Sequence, residues 1–281
     1  MRRIPLPSVN DEKVFDDIAA AKQQPRRSHL QDVRDTVLMA YKGYESSAPE
    51  VEHLSNITLT ARQSEALIHA FEVETVPMGR LRADLLKPVV VARCPFCSLS
   101  ESATLDHYLP KEQNPQFAIF PKNLVPCCPI CNTRKRDKVL GKIDNIRLFL
   151  HPYYDDIPQR LFVRVKISFH PNAIILKYTV VKHAGLASTT FKHLQSHFQQ
   201  LGLADRYRRM ALDDLRGQYH ALVRIYGPAK DANRLAVSLT EKAKDFEAIY
   251  GENYWLTVLY YALAANRKFC NGGFQVLNKI Q

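Results

Sequence analysis

The chain lacks an apolar run able to cross a bilayer. The longest, Trp255 to Ala265, is too short and is interrupted by Thr257, Tyr260 and Tyr261. The start, Met1-Arg2-Arg3-Ile4-Pro5-Leu6-Pro7, is basic with no apolar stretch behind it, so no secretory signal is expected. Together these set the expectation of a cytoplasmic protein with no membrane partner. Internal repeats and low-complexity tracts are absent too. Acidic residues are in deficit, 28 against 39 lysines and arginines, and the net charge of +11 favours polyanionic partners, nucleic acid first. Six cysteines in 281 residues do not make a disulfide framework, because four of them fall in two tight pairs. No His-Glu-x-x-His motif occurs: His193 and His197 lie four apart on an expected helix, but Leu194 follows the first.

What is present is an ordinary globular composition, 46% hydrophobic and 24% charged, on a chain long enough for one large core or two modest ones. The spacing predicts helices over about 11–22, 30–44, 60–71 and 81–86, which makes the first ninety residues mainly helical. Pro88-Val89-Val90-Val91 leads into a cysteine pair. From Leu161 to Lys182 apolar residues alternate around His170-Pro171-Asn172-Ala173, the pattern of a β-hairpin. Helices are expected near 190–201, 204–226, 231–250 and 254–268, punctuated by Gly227-Pro228 and Gly251. The class expected is α+β, in three stretches: a helical 1–88, a metal-binding 89–158, and a hairpin with helices over 159–281.

The chemistry concentrates between Cys94 and Asn132. The pairs read Cys94-Pro-Phe-Cys97 and Cys128-Pro-Ile-Cys131. Between them lie Leu105-Asp106-His107-Tyr108-Leu109-Pro110-Lys111 and Asn123-Leu124-Val125-Pro126, and after them Asn132-Thr133-Arg134-Lys135. Four thiolates from two knuckles suit a tetrahedral, closed Zn2+ site. An Asp and an Asn offer hard oxygens, which suit Mg2+ or Mn2+. A histidine beside such a metal can take a proton from water. Cys127 abuts the second pair; the two-residue spacing to Cys131 favours Cys128 as ligand.

This arrangement resembles the HNH, or ββα-metal, endonucleases in their zinc-stapled form. The resemblance covers roughly Cys94 to Asp155. It implies a ββα-metal core flanked by the helical regions, with Asp106-His107 at the end of one strand, Asn123 in the next loop and Asn132 at the start of a short helix. Asn132 stands where many members have His, and Asn occurs there in active ones. The roles implied are His107 as general base, Asp106 and Asn132 as ligands of a catalytic Mg2+ or Mn2+, and Asn123 as a brace that fixes the loop. Lys111, Arg134, Lys135, Arg136 and Lys138 would grip phosphates, Lys135 foremost, with Lys142 and Arg147 extending the basic stretch. His151, in His-Pro-Tyr-Tyr-Asp, reads as packing that closes the module.

More weakly, the run 105–111, the segment 149–155 and the closing apolar helix are similar to the HNH effectors of Septu-type bacterial antiphage systems. That wider similarity implies an ABC-type ATPase partner and a role in defence, in some cases beside a retron. Three function classes follow. The first is cleavage of DNA, as in most of the HNH family. The second is the same chemistry on RNA such as tRNA. The third is a non-catalytic zinc module that binds nucleic acid or a partner. Apolar residues Phe198, Leu201, Tyr219, Tyr226, Trp255, Leu259 and Tyr260 are expected mainly in the core, with some available as a docking face.

Overall fold

The computed structural model describes residues 1–87, 93–143 and 145–279. Pro88-Val89-Val90-Val91, Asp144 and the expected boundary between 88 and 89 therefore lie outside the described residues. The chain divides into two compact units, Arg2–Asp156 and the chain from Ile157 onward. The helices before residue 88 and the cysteine-rich stretch thus belong to one unit.

That unit opens with α1 (Asp11–Ala20), where the Asn10 side chain caps the backbone N–H of Lys13 at 2.8 Å. Helix α2 (Arg26–Ser47) is longer than its apolar spacing suggests and buries Leu30, Val33, Val37, Tyr41 and Tyr44. Thr60 and Gln63 form a reciprocal capping box at the start of α3 (Ala61–Glu72). Helix α4 (Val76–Leu86) begins five residues before the expected 81, because Pro77 fits the first turn, where its missing N–H costs nothing.

Strand β1 (Thr104–His107) pairs antiparallel with β2 (Leu124–Cys127), matching Thr104 with Cys127 and His107 with Leu124. Helix α5 (Pro129–Lys135) follows at once, with Cys128 at its N-cap. It starts three residues before the expected Asn132, so Cys131 lies within it. It also ends at Lys135, so the basic run spans its end and not its beginning. Four-residue strands and a seven-residue helix are each marginal alone. They lean on α2: Phe120, in the loop between the strands, stacks on Tyr41 at 4.1 Å, and Phe117 meets Tyr44 edge-on at 5.0 Å.

The second unit begins with the hairpin of β3 (Val163–His170) and β4 (Ala173–Val180), joined by Pro171-Asn172. Ile174, Leu176 and Tyr178 face inward while Ile175 and Lys177 are exposed, the period-two pattern of a half-buried sheet. Six α-helices follow among the described residues: α6 (Ser188–Gln200), α7 (Leu203–Gly217), α8 (Tyr219–Tyr226), α9 (Ala232–Tyr250), α10 (Trp255–Ala264) and α11 (Arg267–Cys270). The expected helix 204–226 is broken at Gln218, after Gly217, a poor helix former. The expected 254–268 ends at Ala264 and restarts after Asn266, which caps α11 by accepting from the Phe269 N–H.

Phe198, Leu201, Tyr226, Trp255, Leu259 and Tyr260 are all buried within this second unit. Tyr219, the seventh of those expected residues, is half-buried. No helix among the described residues is long and apolar enough to cross a membrane.

Candidate active site

The first cysteine pair sits in a tight knuckle. The Cys94 N–H donates to Ser100 O and the Ser98 N–H to Cys94 O, each at 2.7 Å, and Ser98 takes a positive φ of 56° to make the turn. The second pair opens α5. All four thiols are buried, and their sulfurs lie within 4.8 Å of one another. Cys97 Sγ and Cys128 Sγ are 3.8 Å apart. A disulfide needs about 2.05 Å, whereas a tetrahedron of Zn–S bonds of about 2.3 Å has edges of about 3.8 Å. The cluster is therefore consistent with one structural Zn2+, held by Cys94, Cys97, Cys128 and Cys131 with no position open to substrate. Hydrogen bonds from Cys131 and Cys94 draw the Cys128 thiol below its ordinary value. Cys127 stands outside the four: its sulfur lies 3.4 Å from Thr104 Oγ1, and burial pushes its thiol up.

The hard-oxygen residues lie one strand away. Thr104 and Asp106 share a face of β1, since side chains alternate. Helix α5 lies across that face: Asn132 Nδ2 donates to Thr104 Oγ1 at 3.4 Å, and Lys135 Nζ lies 3.0 Å from Asp106 Oδ2. Asn132 and Lys135, three apart, share a helix face, which brings both to the same strand. Asp106 is 3% exposed and Lys135 1%. Burial raises the Asp106 carboxyl to about 6, opposed by the Lys135 ammonium. Lys135 also donates to the backbone carbonyl of His107 at 2.7 Å.

His107 closes β1. Its Nε2 lies 2.8 Å from the carbonyl oxygen of Ala118, an acceptor only, so Nε2 carries the proton and Nδ1 keeps its lone pair. Phe71 of α3 meets the imidazole edge-on at 4.3 Å. Burial holds the ring down to about 4, hence neutral at neutral pH. His107 and Asp106 share no hydrogen bond or ion pair; the carboxylate is held by Lys135 and the imidazole by Ala118.

Asn123 is fully buried and uses both ends of its amide. Oδ1 accepts from the Leu109 N–H at 2.8 Å and lies 3.1 Å from Tyr44 Oη; Nδ2 donates to Leu109 O at 3.0 Å and Phe117 O at 3.2 Å. It ties the two sides of the loop that carries Ala118, with no atom left over for a metal. His151, also fully buried, lies 2.9 Å from Tyr44 Oη and packs on Tyr108 at 4.0 Å.

The expected phosphate contacts divide. Arg134, Arg136 and Lys138 are exposed. Arg136 takes a positive φ of 50° and donates to Thr133 O at 3.1 Å. Lys111 is occupied by ion pairs with Glu72, at 3.1 Å, and Glu112. Lys135 corrects the expectation outright: it is an internal cation bound to Asp106, not a surface hand for phosphate. Arg147 is likewise buried, donating to Asp155 at 2.7 Å and to Pro49 O at 2.8 Å, with Glu52 at 3.6 Å. Removing one partner of a buried pair strands the other charge. Arg147→Ala is therefore expected to lower unfolding free energy by about 3–5 kcal/mol, read from urea denaturation.

Thr104, Phe71, Tyr44 and Ala118 join the site although no motif names them. Ala118 acts through its backbone and leaves no trace in residue type. Tyr44 stands at the last position of the helix expected over 30–44, with no motif to mark it.

A comparison with known proteins finds protein ea31 of Escherichia phage lambda, 28% identical over a 200-residue alignment that covers 64% of this chain and 64% of that protein. The name states no activity, so the similarity contributes relatedness of sequence alone. No family profile and no solved structure matches the chain.

Proposed function

We propose that the chain is a metal-dependent phosphodiesterase of the HNH type that hydrolyses nucleic acid. The observation that carries this reading is the His107 imidazole, neutral, with Nε2 tied to Ala118 and Nδ1 left as the acceptor, on a hairpin that the Asn132 helix crosses. That is the form a general base needs to take a proton from water. Asp106 and Asn132 are the residues that would hold Mg2+ or Mn2+, which when bound neutralises charge on a phosphate. Asn123 fixes the loop that orients the base. Arg134, Arg136 and Lys138 supply exposed cations for flanking phosphates.

DNA is the substrate we favour, as cut by most HNH enzymes, with RNA such as tRNA the alternative. An ABC-type ATPase partner and a part in antiphage defence complete the proposal. The Asp106–Lys135 ion pair favours one competing reading, a non-catalytic zinc module in which that pair is packing.

The test is incubation of the pure protein with plasmid DNA and with total tRNA, each with Mg2+ or EDTA. Mg2+-dependent cutting of either polymer is expected. Binding without cutting, alone or with the co-expressed ATPase, would leave the zinc-module reading in its place.

A further inference from the structure

The hydrogen bonds around Tyr44 have a direction. The backbone N–H of Tyr153 donates to His151 Nδ1 at 3.3 Å, so Nδ1 is an acceptor. His151 is completely buried beside Arg147 and Lys135, and burial holds its pKa well below the ordinary value, so the ring is neutral. A neutral imidazole that accepts at Nδ1 carries its proton on Nε2. The His151 Nε2–H therefore donates to Tyr44 Oη at 2.9 Å. This directs the single hydroxyl proton of Tyr44 to its other neighbour, Asn123 Oδ1, at 3.1 Å. Asn123 Oδ1 is fixed as the acceptor end, because the Leu109 N–H also points at it and Nδ2 donates to two carbonyls. One of those carbonyls belongs to Phe117, and the next residue is Ala118, whose carbonyl holds His107.

Resting on the nuclease reading, we propose that Tyr44, on a helix outside the ββα module, is a positioning residue for the general base: its hydroxyl locks Asn123, and Asn123 locks the Phe117-Ala118 backbone that orients His107. Tyr41, one turn earlier on α2, makes the contrast. It packs on the same phenylalanines, but its buried hydroxyl has no hydrogen-bond partner. Tyr41 serves the loop as a ring alone; Tyr44 serves it as a ring and a donor.

Tyr44→Phe keeps the ring against Phe117 and Phe120 and removes only the hydroxyl. A kcat reduced roughly tenfold is expected, with KM and zinc content within about twofold of wild type, since a misaligned base slows chemistry without touching binding. Tyr41→Phe should match wild type. An activity-independent reading comes from imidazole nitrogen NMR. Wild type should show both His107 and His151 as Nε2–H tautomers, and Tyr44→Phe should shift His107 toward a mixture of tautomers.

Wild-type kcat together with an unmoved His107 signal in Tyr44→Phe overturns the proposal. So does an equal loss in Tyr41→Phe, which would reduce α2 to general support. A protonated Nδ1 on His151 in wild type also overturns it, and that observation needs no variant at all. If wild type cuts neither DNA nor RNA, the nuclease reading fails by itself, while the two histidine signals still decide whether Tyr44 fixes the ring.

Discussion

Cys94→Ser is expected to strip the chain of one zinc equivalent and to unfold the module around it. The reason lies in how little else holds that module. Its strands are four residues each and its helix seven, lengths that do not persist alone in water. The two knuckles bring the turn at 94–97, ahead of β1, and the start of α5 to one point, with all four sulfurs within 4.8 Å. A metal there joins segments separated by 30 residues, 98 to 127, and its binding free energy becomes folding free energy. In zinc-dependent peptides that amounts to about 10–16 kcal/mol. Here the stacking of Phe117 and Phe120 on α2 carries part of the load, so the expected loss is smaller but still on the order of several kcal/mol. Elemental analysis and urea unfolding are the measurements. Cys127→Ser is the matched control, since its sulfur lies outside the four, and it should keep both zinc and stability. Zinc well below one equivalent in wild type, or a Cys94→Ser chain that unfolds at the wild-type urea concentration, would refute the site.

The four-cysteine cluster is legible in the sequence because thiol chemistry and spacing are written in residue type: two Cys-x-x-Cys pairs have few other uses. The hairpin of β3 and β4 is legible for the same kind of reason, through alternation around Pro171-Asn172. A basic run looks alike whether its members point outward or inward, so nothing in the sequence marks Lys135 and Arg147 as buried. Only the fold reveals that Lys135 faces Asp106 and that Arg147 faces Asp155 and Glu52. The boundaries of α5 slipped for a local reason. Cys128 reads as a ligand from its spacing, while its place before Pro129 also makes it a helix N-cap. Least visible were the supports of His107. Ala118 contributes a carbonyl that any residue would supply, and Phe71 and Tyr44 arrive from helices 36 and 63 positions earlier in the chain. Such contacts depend on tertiary placement, which neither period nor motif encodes.

His107→Ala is expected to cost about 10²–10⁴ in kcat while leaving the fold, the zinc and nucleic-acid binding nearly intact. The structure separates these effects. The ring makes one hydrogen bond, to Ala118 O, and one edge contact, to Phe71. Losing that hydrogen bond costs on the order of 1 kcal/mol, well short of unfolding. What disappears is the Nδ1 lone pair, the proton acceptor the proposed hydrolysis requires. The companion variant is Asp106→Asn, which keeps size and some hydrogen bonding but removes the charge that would hold a divalent cation. It too should lose Mg2+-dependent cutting while retaining one zinc, because oxygen and thiolate sites differ in the metals they prefer. It should also lose stability, since Lys135 is 1% exposed and would be left without its counter-charge. The pair of variants therefore has distinct signatures: His107→Ala inactive and stable, Asp106→Asn inactive and destabilised, both zinc-replete. Full cutting by His107→Ala under the same Mg2+ would mean that another group takes the proton. Loss of zinc from Asp106→Asn would mean that the aspartate supports the knuckles and not a second metal.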